Sequence, residues 1–175
     1  MNSLKQMIAA MAAMTALGAS ASAETLRVGM ECTYEPFNYK TASGDLAGYD
    51  VDVAKGVAEV IGADLAFVCQ QWDGMIPALL ANKFDLIVAS MSITEDRLEK
   101  MDFSIPYRVS IGRLVGESGK NLNLFDDAGE PIPENFAGLR IGVERATTYQ
   151  NWFDAELPEA NIALYDGNEE MYLDL

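Results

Sequence analysis

DLIVASMSITEDR, residues 85–97, is the stretch on which the fold turns. Residues 85–89 (DLIVA) look like a buried strand. Thr94 is a good N-cap, and Glu95 and Asp96 follow in the first turn, where the positive end of a helix dipole favours acids. A helix is therefore expected over residues 94–101. Ile93 and Leu98 have the spacing of a hydrophobic staple across its start. Arg97 breaks the pattern, because a cation in that first turn is electrostatically misplaced.

Upstream, strand and helix alternate in the same way. Residues 26–30 read as a short strand, and a turn at Ser43-Gly44-Asp45 leads to a helix over residues 50–61. Its apolar residues Val53, Ala54, Val57, Val60 and Ile61 keep helical spacing, and Gly62 stops it. Residues 65–68 are the next strand. Asp73 is expected to cap a helix reaching residue 82, with Pro77 tolerated near its opening turn. The order βαβαβα implies an α/β fold with a doubly wound parallel sheet and right-handed crossovers. Ligands in such sheets gather beyond the carboxyl ends of the strands. Three loops then share one rim: the first holds Glu31 and Tyr34, the second Gln71 and Trp72, the third Ser90, Ser92 and Arg97.

A second unit follows. Residues 109–115 (VSIGRLV) are an extended run, and residues 117–135 a loop rich in Gly, Pro, Asn and acids. Residues 139–143 form a strand, and Thr147-x-x-Gln150 is a capping box opening a helix through about residue 155. Residues 162–165 are another strand, and Asn168 is placed to cap a last helix.

Residues 1–23 stand apart from this pattern. Lys5 precedes an apolar stretch over residues 7–18, and Ala-Ser-Ala ends just before Glu24, the layout of a secretory signal peptide cleaved after Ala23. No later segment is apolar enough to span a bilayer. The layout expected is thus a signal at 1–23, a first unit at 24–109 and a second at 110–175.

Charge and composition narrow the chemistry. Twelve basic residues face 27 acidic ones, a formal net charge of −15, and cleavage of the leader removes one of the basic residues. Such a chain is repelled by phosphate backbones and anionic lipid, which argues against nucleic acid or membrane surfaces as partners. There is no histidine, which removes Ser-His-Asp and Cys-His nucleophiles and histidine metal sites together. Cys32 and Cys69 lack CxxC spacing; in an oxidising compartment they are either a disulfide or two buried thiols.

If the backbone stays extended from Ser90 to Ser92, both hydroxyls point the same way. With the free N–H groups of the next helix and the guanidinium of Arg97 they make an anion receptor suited to a carboxylate. The competing reading pairs Arg97 with Glu95, Asp96 or Glu99 at the surface, which is worth only about 0–1 kcal/mol. Tyr34 and Trp72 offer ring faces for an apolar or cationic side chain, or simply pack their loops. Glu31 is either a counter-charge for a positive ligand group or an exposed acid with no role. Thr147 caps a helix whose N-terminus faces the first rim if the two units close on each other.

Five runs carry a resemblance: LRVGMECTYEPFNY, GDLAGYDVDVAKGVAE, WDGMIPALLANKFDLIVASMSIT with its following Arg97, MDFSIPY, and LRIGVERATTYQ. In order and spacing the chain resembles the periplasmic solute-binding proteins for polar amino acids, the receptors of ABC importers. The resemblance implies two α/β lobes joined by hinge strands, of which residues 109–111 would be the first crossing, with the second lobe incomplete. It implies that Arg97 grips the ligand α-carboxylate, helped by Ser92 and the backbone around Thr147, while Ser90 contacts the α-amino group. Tyr34 and Trp72 would flank the ligand side chain and Glu31 would lie near its end. Ala89 departs from relatives that bind basic amino acids, which have serine there. The parts that complete both lobes in the family do not appear, so a fragment is expected, with sheet faces left uncovered and a sticky, poorly stable product.

The function expected is capture of a free amino acid, cationic or an opine-like derivative, by a monomer in the periplasm. No catalysis, cofactor or metal is expected; the partners are the amino acid and an inner-membrane permease. The rival is an enzyme resembling the periplasmic dehydratases of cyclic amino-acid precursors. It would need a carboxyl group of raised pKa facing the leaving group, and Glu31 is the rim acid available for it.

Overall fold

The computed structural model describes residues 24–175, and the signal-peptide reading of residues 1–23 lies outside the described residues. Strand β1 (Thr25–Met30) runs through the middle of a parallel sheet, between β5 (Asp64–Cys69) and β6 (Leu86–Ile87). Thr25 lies opposite Asp64 and Met30 opposite Cys69, while Val28 and Gly29 pair with Leu86 and Ile87. The chain crosses from β1 to β5 through α1 (Tyr49–Ile61), and from β5 back past β1 to β6 through α2 (Met75–Leu80). Placing β1 centrally puts the loops after β1 and β6 side by side, which is where ligands collect in open α/β sheets.

Strand alternation buries Val28 and Met30 completely on one face of β1. Between them Gly29 lets the Phe84 ring lie against the strand, since a Cβ there would come within 2.6 Å of the ring. Val51, Ala54, Met75 and Val88 complete this first core. Gly62 ends α1 in the left-handed conformation, its N–H returning to Ala58 and Glu59 carbonyls. The buried stripe of α1 differs from the sequence reading. It consists of Asp50, Val51, Ala54 and Ala58, while Val57, Val60 and Ile61 are exposed. The helix is rotated because Asp50, at its first turn, is drawn inward by polar partners described below.

Between β1 and α1 the chain inserts a small antiparallel sheet, β2 (Thr33–Tyr34), β3 (Asn38–Lys40) and β4 (Leu46–Ala47), that the periodicity does not reveal. The second unit is a βαβ turn with its own core. Strands β7 (Arg140–Glu144) and β8 (Asn161–Tyr165) are parallel, joined by a helix over Thr148–Glu156. Phe136, Val143, Phe153 and Leu157 are buried there, with Trp152 edge-on to Phe153. A last helix covers Asn168–Leu173.

Four local expectations are corrected. Asp73 caps no helix: a single 3-10 turn at Trp72–Gly74 precedes α2, whose N-cap is Gly74. The helix after β6, α3 (Glu95–Leu98), is one turn long; Thr94 caps it, but Ile93 and Leu98 are exposed, so no buried staple forms. Residues 109–115 join no ladder among the described residues, and Val109, Ile111 and Val115 are exposed. An extended run needs a partner strand, and none is supplied. Finally Gly167, not Asn168, is the N-cap of the last helix, for reasons that belong to the site. The helices over Thr148–Glu156 and Asn168–Leu173 are α4 and α5 below.

Cys32 and Cys69 are bonded, with Cα atoms 5.6 Å apart. The bond ties the carboxyl ends of β1 and β5 directly beneath the rim. Closing a loop of this length restricts the unfolded chain by about 4 kcal/mol in the chain-entropy view. Reduction, or a Cys32→Ser/Cys69→Ser double variant, is expected to lower unfolding stability in urea by about 2–4 kcal/mol. A change below about 0.5 kcal/mol would show that the bond adds nothing to the folded chain.

Candidate functional site

One buried carboxylate organises the rim. Asp50, fully buried at the start of α1, accepts from Asn38 Nδ2 (2.8 Å), Ser90 Oγ (2.8 Å) and the Tyr107 hydroxyl (3.0 Å). Asn38 in turn accepts the Cys32 N–H at 2.9 Å, and the Ser90 N–H donates to the Tyr107 oxygen at 2.8 Å. Burial and the neighbouring Asp50 push the Tyr107 phenol up to about 12. Four chain segments are thereby locked together beside the disulfide. Ser90 takes a positive φ of 50° to join the network, so the extended backbone expected from Ser90 to Ser92 is not formed. The Ser90 hydroxyl is committed to Asp50. Ser92 is exposed, and its carbonyl rather than its hydroxyl is engaged.

That carbonyl accepts from Arg97 Nη1 at 2.8 Å. Arg97 follows the Thr94 cap, whose Oγ1 accepts the Arg97 N–H at 3.4 Å. Its Nη2 reaches the Ala146 carbonyl of the second unit at 3.4 Å, and its Cζ lies 5.4 Å from the centre of the Trp72 ring. The Trp72 Nε1–H donates to the same Ala146 carbonyl at 3.1 Å. Arg97 is 9% exposed, yet it pairs with no carboxylate among the described residues. Arg27, Arg140 and Arg145 do pair, all at exposed positions. Desolvation pulls the Arg97 pKa down. Surface pairing with Glu95, Asp96 or Glu99 is therefore not formed. A cleft of about 550 Å³ opens beside the guanidinium, lined among others by Trp72, Met91, Thr94, Ala146 and Asn151.

Thr147, buried at the N-cap of α4, donates to the Glu144 carbonyl (2.7 Å) and accepts the Gln150 N–H (3.3 Å). Gln150 Oε1 accepts from Ala146 N, one residue earlier than a standard capping box requires. The first N–H groups of α4 have no intrahelical acceptors and face outward from this end. A second group of side chains lies along the same stretch. Glu31 and Glu144 are both more than nine-tenths buried, one from each unit, and close enough for each carboxyl group to act on the other. Glu144 Oε2 accepts from Asn168 Nδ2 at 2.9 Å, which is why Asn168 points inward and leaves the capping position to Gly167. Glu144 Oε1 is buried without a partner. Desolvation first, then Glu144 and Asp50, push Glu31 up to about 8, and burial raises Glu144 as well. The two carboxyl groups therefore resist ionising together. Glu31 is not the exposed acid that one reading allowed. Tyr34 packs its ring 4.8 Å from Phe37 rather than standing free.

The arrangement thus has an unneutralised cation at Arg97 and a carboxyl pair at Glu31 and Glu144, both touching residues 144–147. Sequence reasoning missed Glu144, Asp50, Asn38, Tyr107 and Asn168. One signal could have found Glu144. It ends a parallel strand, as Glu31 follows one, and the end of such a strand faces the ligand side.

Comparison with known proteins follows the same lines. The model for "Bacterial extracellular solute-binding proteins, family 3" matches residues 26–171. The L-arginine-binding protein of Pseudomonas aeruginosa is 35% identical over 157 residues, 89% of this chain and 58% of that protein. The ABC transporter arginine-binding protein 1 of Escherichia coli is 30% identical over 171 residues, 98% of this chain and 66% of that protein. Among solved structures, the ancestral amino acid-binding protein AncCDT-1, a precursor of cyclohexadienyl dehydratase, superposes with a TM-score of 0.75 at 34% identity, over 86% of this chain and 65% of that one. The chain thus spans about three-fifths to two-thirds of these relatives' length.

The carboxyl pair predicts a pH dependence. Glu31 rises from an ordinary 4.5 to about 8 on folding, so between those values the folded chain binds more protons than the unfolded one. Stability therefore falls as pH rises through this window. The melting temperature of the unliganded chain is expected to decline from pH 5 to pH 8, and Glu31→Gln to flatten the decline. A wild-type midpoint constant or rising over that range would contradict the upward shift of Glu31.

Proposed function

The chain belongs to family 3 of the bacterial extracellular solute-binding proteins, and we propose that it acts as the amino-acid receptor of an ABC importer. The observation that carries this reading is the buried guanidinium of Arg97, open to a cleft and without a counter-charge among the described residues. A guanidinium binds a carboxylate through two parallel hydrogen bonds, and a bound α-carboxylate would supply the missing charge. The free N–H groups at the start of α4, beside Thr147, would add donors to the same carboxylate. Ser92 would assist through its free hydroxyl. Ser90, with its hydroxyl on Asp50, would meet the α-amino group through its backbone carbonyl. Trp72, already lying over Arg97, and Tyr34 would flank the ligand side chain, and Glu31 would meet its end.

The side chain we propose is cationic, as in arginine or an opine-like derivative. The buried acids Glu31 and Glu144 and the two aromatic faces support this, as do the arginine-binding names of two relatives. We read residues 24–109 and 110–175 as the two lobes, since each contains one of the two cores. Capture by the first lobe and closure of the second would present a closed form to the membrane permease. In this reading residues 1–23 direct export to the periplasm, and the receptor acts as a monomer with no nucleic-acid partner, cofactor or metal.

A second reading has one observation in its favour. Glu31 is buried with a raised pKa, as a general acid in a dehydratase would be, and a structural neighbour is a precursor of such an enzyme. The named curated relatives above are binding proteins, so binding is the reading adopted.

A thermal-shift series against the amino acids tests it. Arginine at about 100 times its dissociation constant should add about 2.7 kcal/mol of stability, and Arg97→Ala should remove the shift. No shift with any amino acid, together with turnover of a prephenate-like acid, would favour the dehydratase instead.

A further inference from the structure

The one buried polar side-chain atom without a partner among the described residues is Glu144 Oε1. Leaving a buried acceptor unpaired is costly, and a native fold tolerates it where a ligand or proton completes the site. Glu144 is 7% exposed and faces the equally buried Glu31 across the junction of the two lobes. The groups acting on the pair from the packed elements are Asp50 of α1 on Glu31, and Asp73 and Asn168 on Glu144. None is basic, and neither carboxyl belongs to any ion pair among the described residues. Among the described residues the pair therefore has two acids and no cation acting on it.

We propose that Glu144 is a specificity-determining residue contributed by the second lobe. With Glu31 it forms a two-carboxylate subsite for the distal cationic group of the ligand. Two buried acids that face each other do not ionise together, so the pair keeps a proton until that cation enters and displaces it. This rests on the receptor reading above and deepens it. The charge balance closes: one carboxylic acid, one carboxylate and an incoming cation become two carboxylates around a cation, with one proton released to solvent. A guanidinium has enough donors in one plane to serve both carboxylates, including the orphan Oε1. A neutral isostere leaves the proton in place and so forgoes the ion pair. Because the two acids come from different lobes, the cation also neutralises the repulsion that closure would otherwise create between them.

Two measurements on the chain test this. The first needs no ligand. In the empty protein, the side-chain carboxyl carbons of Glu31 and Glu144, followed by NMR, should titrate in two steps, one of them near pH 8. Both titrating in the ordinary carboxylate range overturns the proposal. The second is calorimetry with arginine and with citrulline, its uncharged isostere, in buffers of different ionisation enthalpy. Arginine should release about one proton near neutral pH and bind up to about tenfold more tightly per pH unit between pH 6 and 7, whereas citrulline should do neither. Glu144→Gln should abolish the proton release and reduce the arginine-over-citrulline preference about tenfold or more. Misfolding would lower arginine and citrulline affinity alike, so the readout is the ratio of the two affinities together with the proton release. If Glu144→Gln keeps both the preference and the proton release, the inference fails while the receptor reading stands. If no amino acid binds the wild-type chain, both fail.

Discussion

A positive charge buried without a negative partner among the described residues is the constraint around which this structure is arranged. Arg97 is almost wholly removed from water, and its hydrogen bonds go to two backbone carbonyls and its face to an indole. Carbonyl dipoles and a ring quadrupole soften desolvation, but they do not replace a counter-ion, and an uncompensated buried charge costs several kcal/mol. The fold holds it nonetheless. The Thr94 cap fixes the turn that carries it, the Asp50 network fixes the loop before that turn, and the disulfide fixes the strand ends beneath. Rigid support of this kind is what keeps a charged group aimed at a cleft instead of folding back onto surface acids.

The second lobe answers the first with a short run of chain. The Ala146 carbonyl receives both Trp72 and Arg97, Thr147 caps the helix beside them, and Glu144 meets Glu31. Positive and negative features thus lie along four consecutive residues, which span at most about 10 Å when extended. That is the scale of an amino acid with a long cationic side chain, carboxylate at one end and cation at the other. The proposed receptor function reads this polarity as a mould of its ligand.

Much of this frame was legible from residue patterns, and the exceptions have definite causes. The parallel order around β1 follows from alternating strand and helix signals, and Thr94 and Thr147 announce themselves as caps by their spacing. Where the reading failed, a polar interaction over long sequence distance had overridden local preference. Asp50 looks like an ordinary first-turn acid, but Asn38, Ser90 and Tyr107, up to 57 residues away, draw it inward and rotate α1 with it. The same network forces Ser90 into a left-handed conformation that no propensity suggests. Asn168 looks like a cap and instead serves Glu144, 24 residues earlier. Residues 109–115 look like a strand, but a strand is a property of a pair, and pairing cannot be read from one partner alone.

The central claim is that Arg97 binds a ligand carboxylate, and the most direct test isolates that group. Arginine and agmatine share the same guanidinium tail and differ in the acid group that Arg97 is proposed to hold. In side-by-side thermal titrations the account predicts that arginine raises the melting temperature and agmatine, at equal concentration, raises it little or not at all. Equal stabilisation by the two would mean that Arg97 does not bind a ligand carboxylate.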